Sequence, residues 1–461
     1  MPATDGAAAS SFRDPSGFLF RKEGHLYRQI NLVYQENYEH LMTSGFYKAL
    51  IDGGMLIPHE EVNIAPLFPV HAYRVIKPEL VPFISYPYEW CFSELKDAAL
   101  ATLEIQVKAM EYGMTLKDCS AYNIQFRGGK PVFIDTLSFE KYCEGQPWVA
   151  YRQFCQHFLA PLALMSKRDI RLNQLLRIYI DGVPLDLASK LLPPSTRFSF
   201  SLLSHIHLHA ASQQKYAGKS VDLKGRKMSK LSYMGIIDSL ASTVRSLKWQ
   251  PSGTEWAEYY EDTNYTTAAF QHKKDIITAF LDSEKPVNVL DLGANTGTFS
   301  RLAADKGIQT ISCDIDPAAV EKNYRDCVNN GDKSILPLVI DLTNPSGAAG
   351  WDNRERDSFT ERGRSDAVFA LALIHHLAIS NNLPFSRIAG FIGGLCNWLI
   401  IEFVPKDDSQ VQRLLATRED IFPEYTQENL EAEFSKLFDI VGRHPINESK
   451  RTIYIMKLKQ A

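Results

Sequence analysis

From about residue 256 to the end, short apolar runs alternate with stretches that repeat every three to four residues. The runs are VNVLDL, TISCDI, LPLVID, SDAVFALAL, NWLIIEFV and RTIYIMKL. TFSRLAADKG and AAVEKNYRDCVNN separate the first three, and a longer amphipathic entry, WAEYYEDTNYTTAAFQHKKDIITAFL, comes before them all. Apolar strands alternating with helices predict a parallel sheet covered on both faces. The last run suits a terminal antiparallel strand. The expected fold class is α/β over residues 256–461.

The first half is patterned differently. GFLFRKEGHLYRQIN, residues 17–31, reads as two alternating segments around a turn, the signature of a hairpin. Leu95, Ala98, Leu103, Ile105 and Met110 fall near one face of a helix over 95–113. YNIQF and PVFID flank a Gly-Gly turn and predict a second strand pair, and residues 147–210 read as mostly helical. These elements predict an α+β domain over 13–214. A flexible tail over 1–12 precedes it, and a linker over 215–255, opened by the Lys- and Gly-rich KYAGKSVDLKGRKMSK, follows it. His205, His207 and His209 would share one face of a strand. No acidic or cysteine partner stands at metal-ligand spacing, so a loop or helix is preferred to a metal site.

Composition narrows the function classes. The formal net charge of −4 provides no chain-wide basic field and argues against a nucleic-acid partner. The seven cysteines are scattered and none forms a C-x-x-C pair, which argues against a disulfide framework or zinc knuckle and fits a reducing cytoplasm. The opening MPATDGAAASSF has no basic segment followed by an apolar run, so no secretory leader is expected. The longest apolar stretch, Ile388 to Val404, is broken by Gly390, Gly393, Gly394, Asn397 and Glu402 and predicts no membrane span. Nothing in the sequence specifies an oligomeric state.

The chemistry of the second half begins at Asp291-Leu-Gly-Ala-Asn-Thr-Gly297, between the run VNVL and a helix. Glycine permits the sharp turn and close approach of backbone to ligand, and amides at the helix N-terminus are expected to face that ligand. The D-x-G-x-N-x-G pattern departs from the G-x-G-x-x-G of dinucleotide sites. Asp314 ends the next strand, where a carboxylate accepts ribose hydroxyls. Asp341 ends the third, positioned for an adenine amino group. Three acidic strand tips in this order resemble the class I S-adenosylmethionine-dependent methyltransferases, with a Rossmann-like sheet. The resemblance implies that Asp291, Gly293, Ala294, Asn295 and Gly297 line the methionine and ribose part of the cofactor. Asp314 with Ile315 would hold the ribose, and Asp341 with Leu342 the adenine.

Methyl transfer from a sulfonium needs an acceptor held in line, and an oxygen or nitrogen acceptor also needs a base. His376 is the stronger base candidate and His375 the weaker, both set against ordinary packing. Glu402, at the end of NWLIIEFV, either orients an acceptor or caps a turn with Asp407 and Asp408. Trp256, Tyr259, Tyr260, Asp262 and Tyr265 precede the first strand. Tyr259 and Tyr260 are candidates for the methionine carboxylate, against plain amphipathic packing.

In the first half, Asp118, Asn123 and, beyond a hairpin, Asp135 resemble the catalytic and metal loops of kinase-like phosphotransferases, closest to the aminoglycoside branch. The resemblance implies that Asp118 meets an acceptor hydroxyl while Asn123 and Asp135 hold magnesium on the phosphates of ATP. Leu116 stands where such enzymes carry histidine, Thr136-Leu137 replaces Phe-Gly, and no glycine-rich phosphate loop stands out. Lys22, Arg28, Arg74 and Lys77 are weak candidates for the phosphate-binding cation. The whole chain also resembles bacterial nodulation methyltransferases of the NoeA type, through FRDPSGFLF…GHLYRQI, LKDCSAYNIQF…PVFIDT and WLIIEFVPKDD…TIYIMKL. That resemblance implies a small-molecule or saccharide acceptor. Three functions follow: a bifunctional kinase and methyltransferase, a methyltransferase with an N-terminal recognition module or pseudokinase, or an interaction protein with two decayed domains.

Overall fold

The computed structural model describes residues 6–215, 227–251, 266–416 and 418–460. It divides the chain into two compact units, one of Met1–Gln250 with Ala348–Arg356, the other of Pro251–Gly347 with Asp357–Ala461.

The first unit opens with an antiparallel sheet of β1 (Gly6–Ala7), β2 (Gly17–Lys22), β3 (His25–Asn31), β4 (His59–Glu61) and β5 (Ala72–Pro78), in the order β1-β2-β3-β5-β4. The expected hairpin is β2–β3. Residues 6 and 7, read as flexible tail, instead pair with β2 through Gly6↔Arg21 and Ala7↔Phe20, which satisfies an edge of the sheet. Helix Phe92–Glu111 follows, entered through a capping box in which the Cys91 amide donates to Glu94 Oε2 at 2.8 Å. Beyond it come β6 (Met114–Leu116), β7 (Ile124–Arg127), β8 (Lys130–Phe133) and β9 (Phe139–Lys141), with β6 paired to β9 and β7 to β8.

In this half the histidine-rich segment takes the helical form preferred for it, while the stretch read as a linker changes. The segment with His205, His207 and His209 is helical, so the three rings do not share a strand face. His205 bonds Tyr151 and Ser239, and His207 bonds Ser189 and Thr196. No cluster of metal-binding side chains occurs among the described residues. The stretch read as a linker carries helix Lys230–Ser246. Its Tyr233, Ile237, Leu240 and Val244 are buried, and the Tyr233 hydroxyl lies 2.6 Å from Thr115 Oγ1. Helical spacing of those four explains the burial.

The second unit is a seven-stranded sheet of β10 (Asn288–Leu292), β11 (Gln309–Asp314), β12 (Ile335–Val339), β13 (Ser365–Ala370), β14 (Cys396–Phe403), β15 (Phe438–Pro445) and β16 (Thr452–Leu458). The order is β12-β11-β10-β13-β14-β16-β15. Strands β10 to β14 pair in parallel, and β16 inserts antiparallel between β14 and β15. Helix Thr267–Glu284 contributes Ile277, Phe280 and Leu281 to a core shared with Val289, Phe369, Ile400 and Ile453. The chain winds outward from β10 in both directions. Its flanks β11 and β13 therefore open a crevice at the carboxyl ends of the strands, where ligands bind in such sheets. No helix among the described residues is long and apolar enough to cross a membrane.

Candidate functional site

A cavity of about 330 Å³ lies at that crevice. Asp291, Gly293, Ala294, Asn295, Asp314, Ile315, Asp341, Leu342 and His376 all line it. All but His376, which opens the short helix His376–Ser380, come from a strand tip or the loop after one. Gly293 and Asn295 have φ of +73° and +50°, and Ala372, opposite, has +50°. A Cβ on Gly293 would stand 3.1 Å from Leu373 Cδ1, and left-handed backbone there favours glycine on its own account. Gly297 does not line the cavity. It caps helix Thr298–Ala304, and a Cβ there would fall 2.5 Å from Asn323 Oδ1, so its role is close packing of helix on helix.

The loop amides behave differently from the sequence expectation. Those of Gly293 and Ala294 both donate to the Cys313 carbonyl at 2.9 Å. The Asn295 amide donates to Asp314 Oδ2 at 2.7 Å, that of Thr296 to Asn295 Oδ1 at 2.8 Å, and that of Gly297 to the Ala294 carbonyl at 2.9 Å. An anion-binding loop leaves such donors pointing at its ligand. Here they are spent within the protein, and carboxylates face the cavity. That donor set fits a ligand with hydroxyls and positive charge and does not fit a diphosphate.

Burial sets the electrostatics. The Asp291 carboxyl accepts from Ser300 Oγ at 2.6 Å, yet desolvation, opposed by Ser300 and Lys273 and reinforced by Asp314, lifts its pKa to about 7. Desolvation likewise lifts Asp314 to about 6, against the amides of Asp316 and Asn295. Both groups hold protons more tightly folded than unfolded. They therefore add stability that is full below about pH 4 and is lost as pH rises through their folded values of about 6 and about 7. A cationic ligand beside them demands the ionised forms. Affinity for S-adenosylmethionine is thus expected to rise roughly a hundredfold between pH 5.5 and 8, most of it from Asp291. Titration calorimetry across that range checks it, and a flat profile would remove Asp291 from the ligand's surroundings.

His376 is half-buried, and burial with Arg451 nearby lowers its pKa to about 4. Its imidazole is neutral at pH 7 and able to take a proton. His375 is fully buried, its ring 4.1 Å from that of His376. Glu402 does not line the cavity. It is fully buried with Lys273 Nζ 2.5 Å from Oε2 and Arg451 Nη1 3.5 Å from Oε1, which removes it as a group that touches an acceptor. Tyr260, with Trp256, Tyr259, Asp262 and Tyr265, lies outside the described residues. Sequence reasoning missed Phe270, Lys273, Ala372, Asn381 and Leu414 on the cavity wall.

The kinase-like residues meet in the first unit. Asp118 Oδ1 accepts from Gln153 Nε2 at 2.7 Å and the Ser120 amide at 2.9 Å, and Asn123 bonds to the same carboxylate. Burial raises the Asp118 carboxyl. Asn123 Nδ2 lies 3.3 Å from Ser138 Oγ, which donates to Asp135 Oδ2 at 2.7 Å. Arg28 Nη1 sits 2.5 Å from Asp135 Oδ1, which also accepts the Leu137 amide at 3.0 Å. Desolvation pushes the Asp135 carboxyl up, but Arg28, Ser138 and Leu137 outweigh it and hold it below the usual range. Residues Ala348–Arg356 also belong to this unit. Their Glu355 is 3% exposed and accepts from Arg13 Nη2 at 3.0 Å, and the Arg356 guanidinium lies 4.3 Å over the Tyr122 ring.

The sheet order, the antiparallel seventh strand and a carboxylate-lined cavity at the switch point define a class I S-adenosylmethionine-dependent methyltransferase. Residues 265–436 match the family described as a methyltransferase domain. The chain is 37% identical over 457 residues to the nodulation protein NoeA of Rhizobium meliloti (strain 1021), covering 97% of this chain and 95% of that one. It belongs to the NoeA family of methyltransferases. Among solved structures it is similar to magnesium protoporphyrin IX methyltransferase from Synechocystis PCC 6803 with bound SAH, at 18% identity over 44% of this chain and 92% of that one, TM-score 0.33. It is also similar to the bifunctional kinase-methyltransferase WbdD, at 14% identity over 46% of this chain and 45% of that one, TM-score 0.31.

Proposed function

We propose that the enzyme methylates a small-molecule acceptor of saccharide or related type, in the cytoplasm, and that the first unit recognises the acceptor or a protein partner. The observation that carries the site assignment is one cavity lined by Asp291, Asp314, Asp341 and His376 together. In this reading Asp314 accepts the ribose hydroxyls, Asp341 the adenine amino group, and the Asp291–Asn295 loop borders the methionine and ribose. S-adenosylmethionine supplies an activated methyl group, so the protein's task is alignment and proton removal. Neutral His376 takes the acceptor proton. Ser380 and Asn381 on the same wall offer hydrogen bonds to a hydroxylated acceptor. The seven scattered cysteines, none in C-x-x-C spacing, support a reducing compartment.

The recognition role rests on Arg28, which occupies the Asp135 carboxylate that a kinase would give to magnesium. The convergence of Asp118, Asn123 and Asp135 favours a second reading, a live phosphotransferase using ATP and magnesium. Thermal unfolding of the full chain separates the two. S-adenosylmethionine at a hundred times its dissociation constant is expected to add about 2.7 kcal/mol, and Mg-ATP nothing. A Mg-ATP shift that Asp135→Ala removes would install the kinase. Labelled methyl transfer to a panel of saccharides tests the acceptor, and transfer to none of them would sink that class.

A further inference from the structure

The cofactor assigned to the cavity carries two cations, its sulfonium and its ammonium, and one carboxylate. Asp291, on the loop read as bordering the methionine, faces the cavity as the carboxylate for those cations, with Asp314 and Asp341 read as the partners of the ribose and the adenine. The carboxylate has to enter the same low-dielectric space, where an uncompensated charge is costly. The backbone amides from Gly293 to Gly297 are spent on the protein itself. Among the described residues that line the cavity, Lys273 is the single lysine or arginine.

Lys273 stands on helix Thr267–Glu284 and is 2% exposed. Its ammonium is fixed from two sides. Nζ lies 2.5 Å from Glu402 Oε2 and 4.4 Å from the centre of the Phe299 ring, itself on the cavity wall. Glu402 is held in turn by Arg451, whose Nε and Nη2 donate to Asp408 at 2.7 and 3.0 Å. Lysine, glutamate, arginine and aspartate thus form an alternating buried row that ends at the cavity with a positive charge. Burial lowers the Lys273 pKa while Glu402 raises it, so the carboxylate behind it helps keep the ammonium charged.

We propose that Lys273 binds the methionine carboxylate of S-adenosylmethionine, with Glu402 as the residue that positions it. This rests on the reading of the cavity as the cofactor site. The row accounts for a lysine in a nearly closed core: its own two cations and two carboxylates balance, and the ligand's carboxylate is matched by the ligand's own ammonium beside Asp291. It also gives Glu402 a task at a distance from the acceptor.

The test compares affinities of the full-length protein for S-adenosylmethionine and for decarboxylated S-adenosylmethionine, which differ only at the carboxylate. The wild type is expected to prefer the first about ten- to a hundredfold, the range of one charge-assisted contact. Lys273→Gln should reduce the preference to within about threefold by weakening S-adenosylmethionine alone. Lys273→Arg, which keeps the charge, should restore much of it, and Glu402→Gln should lower it in part. A merely structural role would weaken both ligands equally and leave the ratio unchanged, and that result overturns the proposal. Should wild type bind neither ligand, the reading of the cavity itself falls. Binding of both without preference removes only the anchor.

Discussion

Asp314→Ala is expected to lower affinity for S-adenosylmethionine by about two to four orders of magnitude. A carboxylate that accepts two ribose hydroxyls makes two charge-assisted bonds, each worth about 1.5–3 kcal/mol. The same side chain also holds the loop: Oδ2 accepts the Asn295 amide at 2.7 Å and Oδ1 the Asp316 amide at 2.9 Å. Alanine therefore removes the ligand's partner and frees the left-handed Asn295 that shapes the wall. The unbound fold should tolerate the change, because Asp314 is ionised against its burial and its removal relieves that cost. Calorimetric titration and an unliganded melt read both effects. Retained affinity within tenfold would place the ribose elsewhere.

Arg451→Met is expected to destabilise the second unit by about 3–5 kcal/mol, the cost of leaving buried charges without their partner. Arg451 is 1% exposed and stands between Glu402 and Asp408. Methionine fills much of the volume but takes the guanidinium from both carboxylates, leaving Glu402 with Lys273. At about 2–4 °C per kcal/mol for a unit of this size, the melting transition should fall by about 10 °C. Asp408 adds a local consequence. Its Oδ1 caps helix Ser409–Leu415 through the Gln410 amide at 2.9 Å, and Leu414 of that helix lines the cavity. A double-mutant cycle of Arg451→Met with Asp408→Asn should show strong coupling. Additive effects, or a shift under about 1 kcal/mol, would show that the row is not energetically linked.

Much of the second unit was legible because its information is local. Apolar runs with acidic ends name the strands, and positive φ at Gly293 needs the residue found there. Hence Asp291, Asp314 and Asp341 could be assigned to one crevice before any coordinates. Glu402 shows where that reasoning stops. Its run, NWLIIEFV, belongs to a strand buried on both faces, so alternation does not tell which side a polar residue takes. The strand turns it toward Lys273 of helix Thr267–Glu284 and off the cavity wall.

Read alone, the sequence determined the α/β class of the second half, the acidic strand tips that line its cavity and the kinase-like spacing of Asp118, Asn123 and Asp135. Only the tertiary structure decided what those groups meet. It spent the loop amides on Cys313 and Asp314, set Arg28 on Asp135, gave Ala348–Arg356 to the first unit, and lined up Lys273, Glu402, Arg451 and Asp408. The physical reason is common to all four. Periodicity and turn chemistry act over a few residues, whereas ion pairs and hydrogen-bond saturation join residues that are distant in sequence, and no local pattern names the partner.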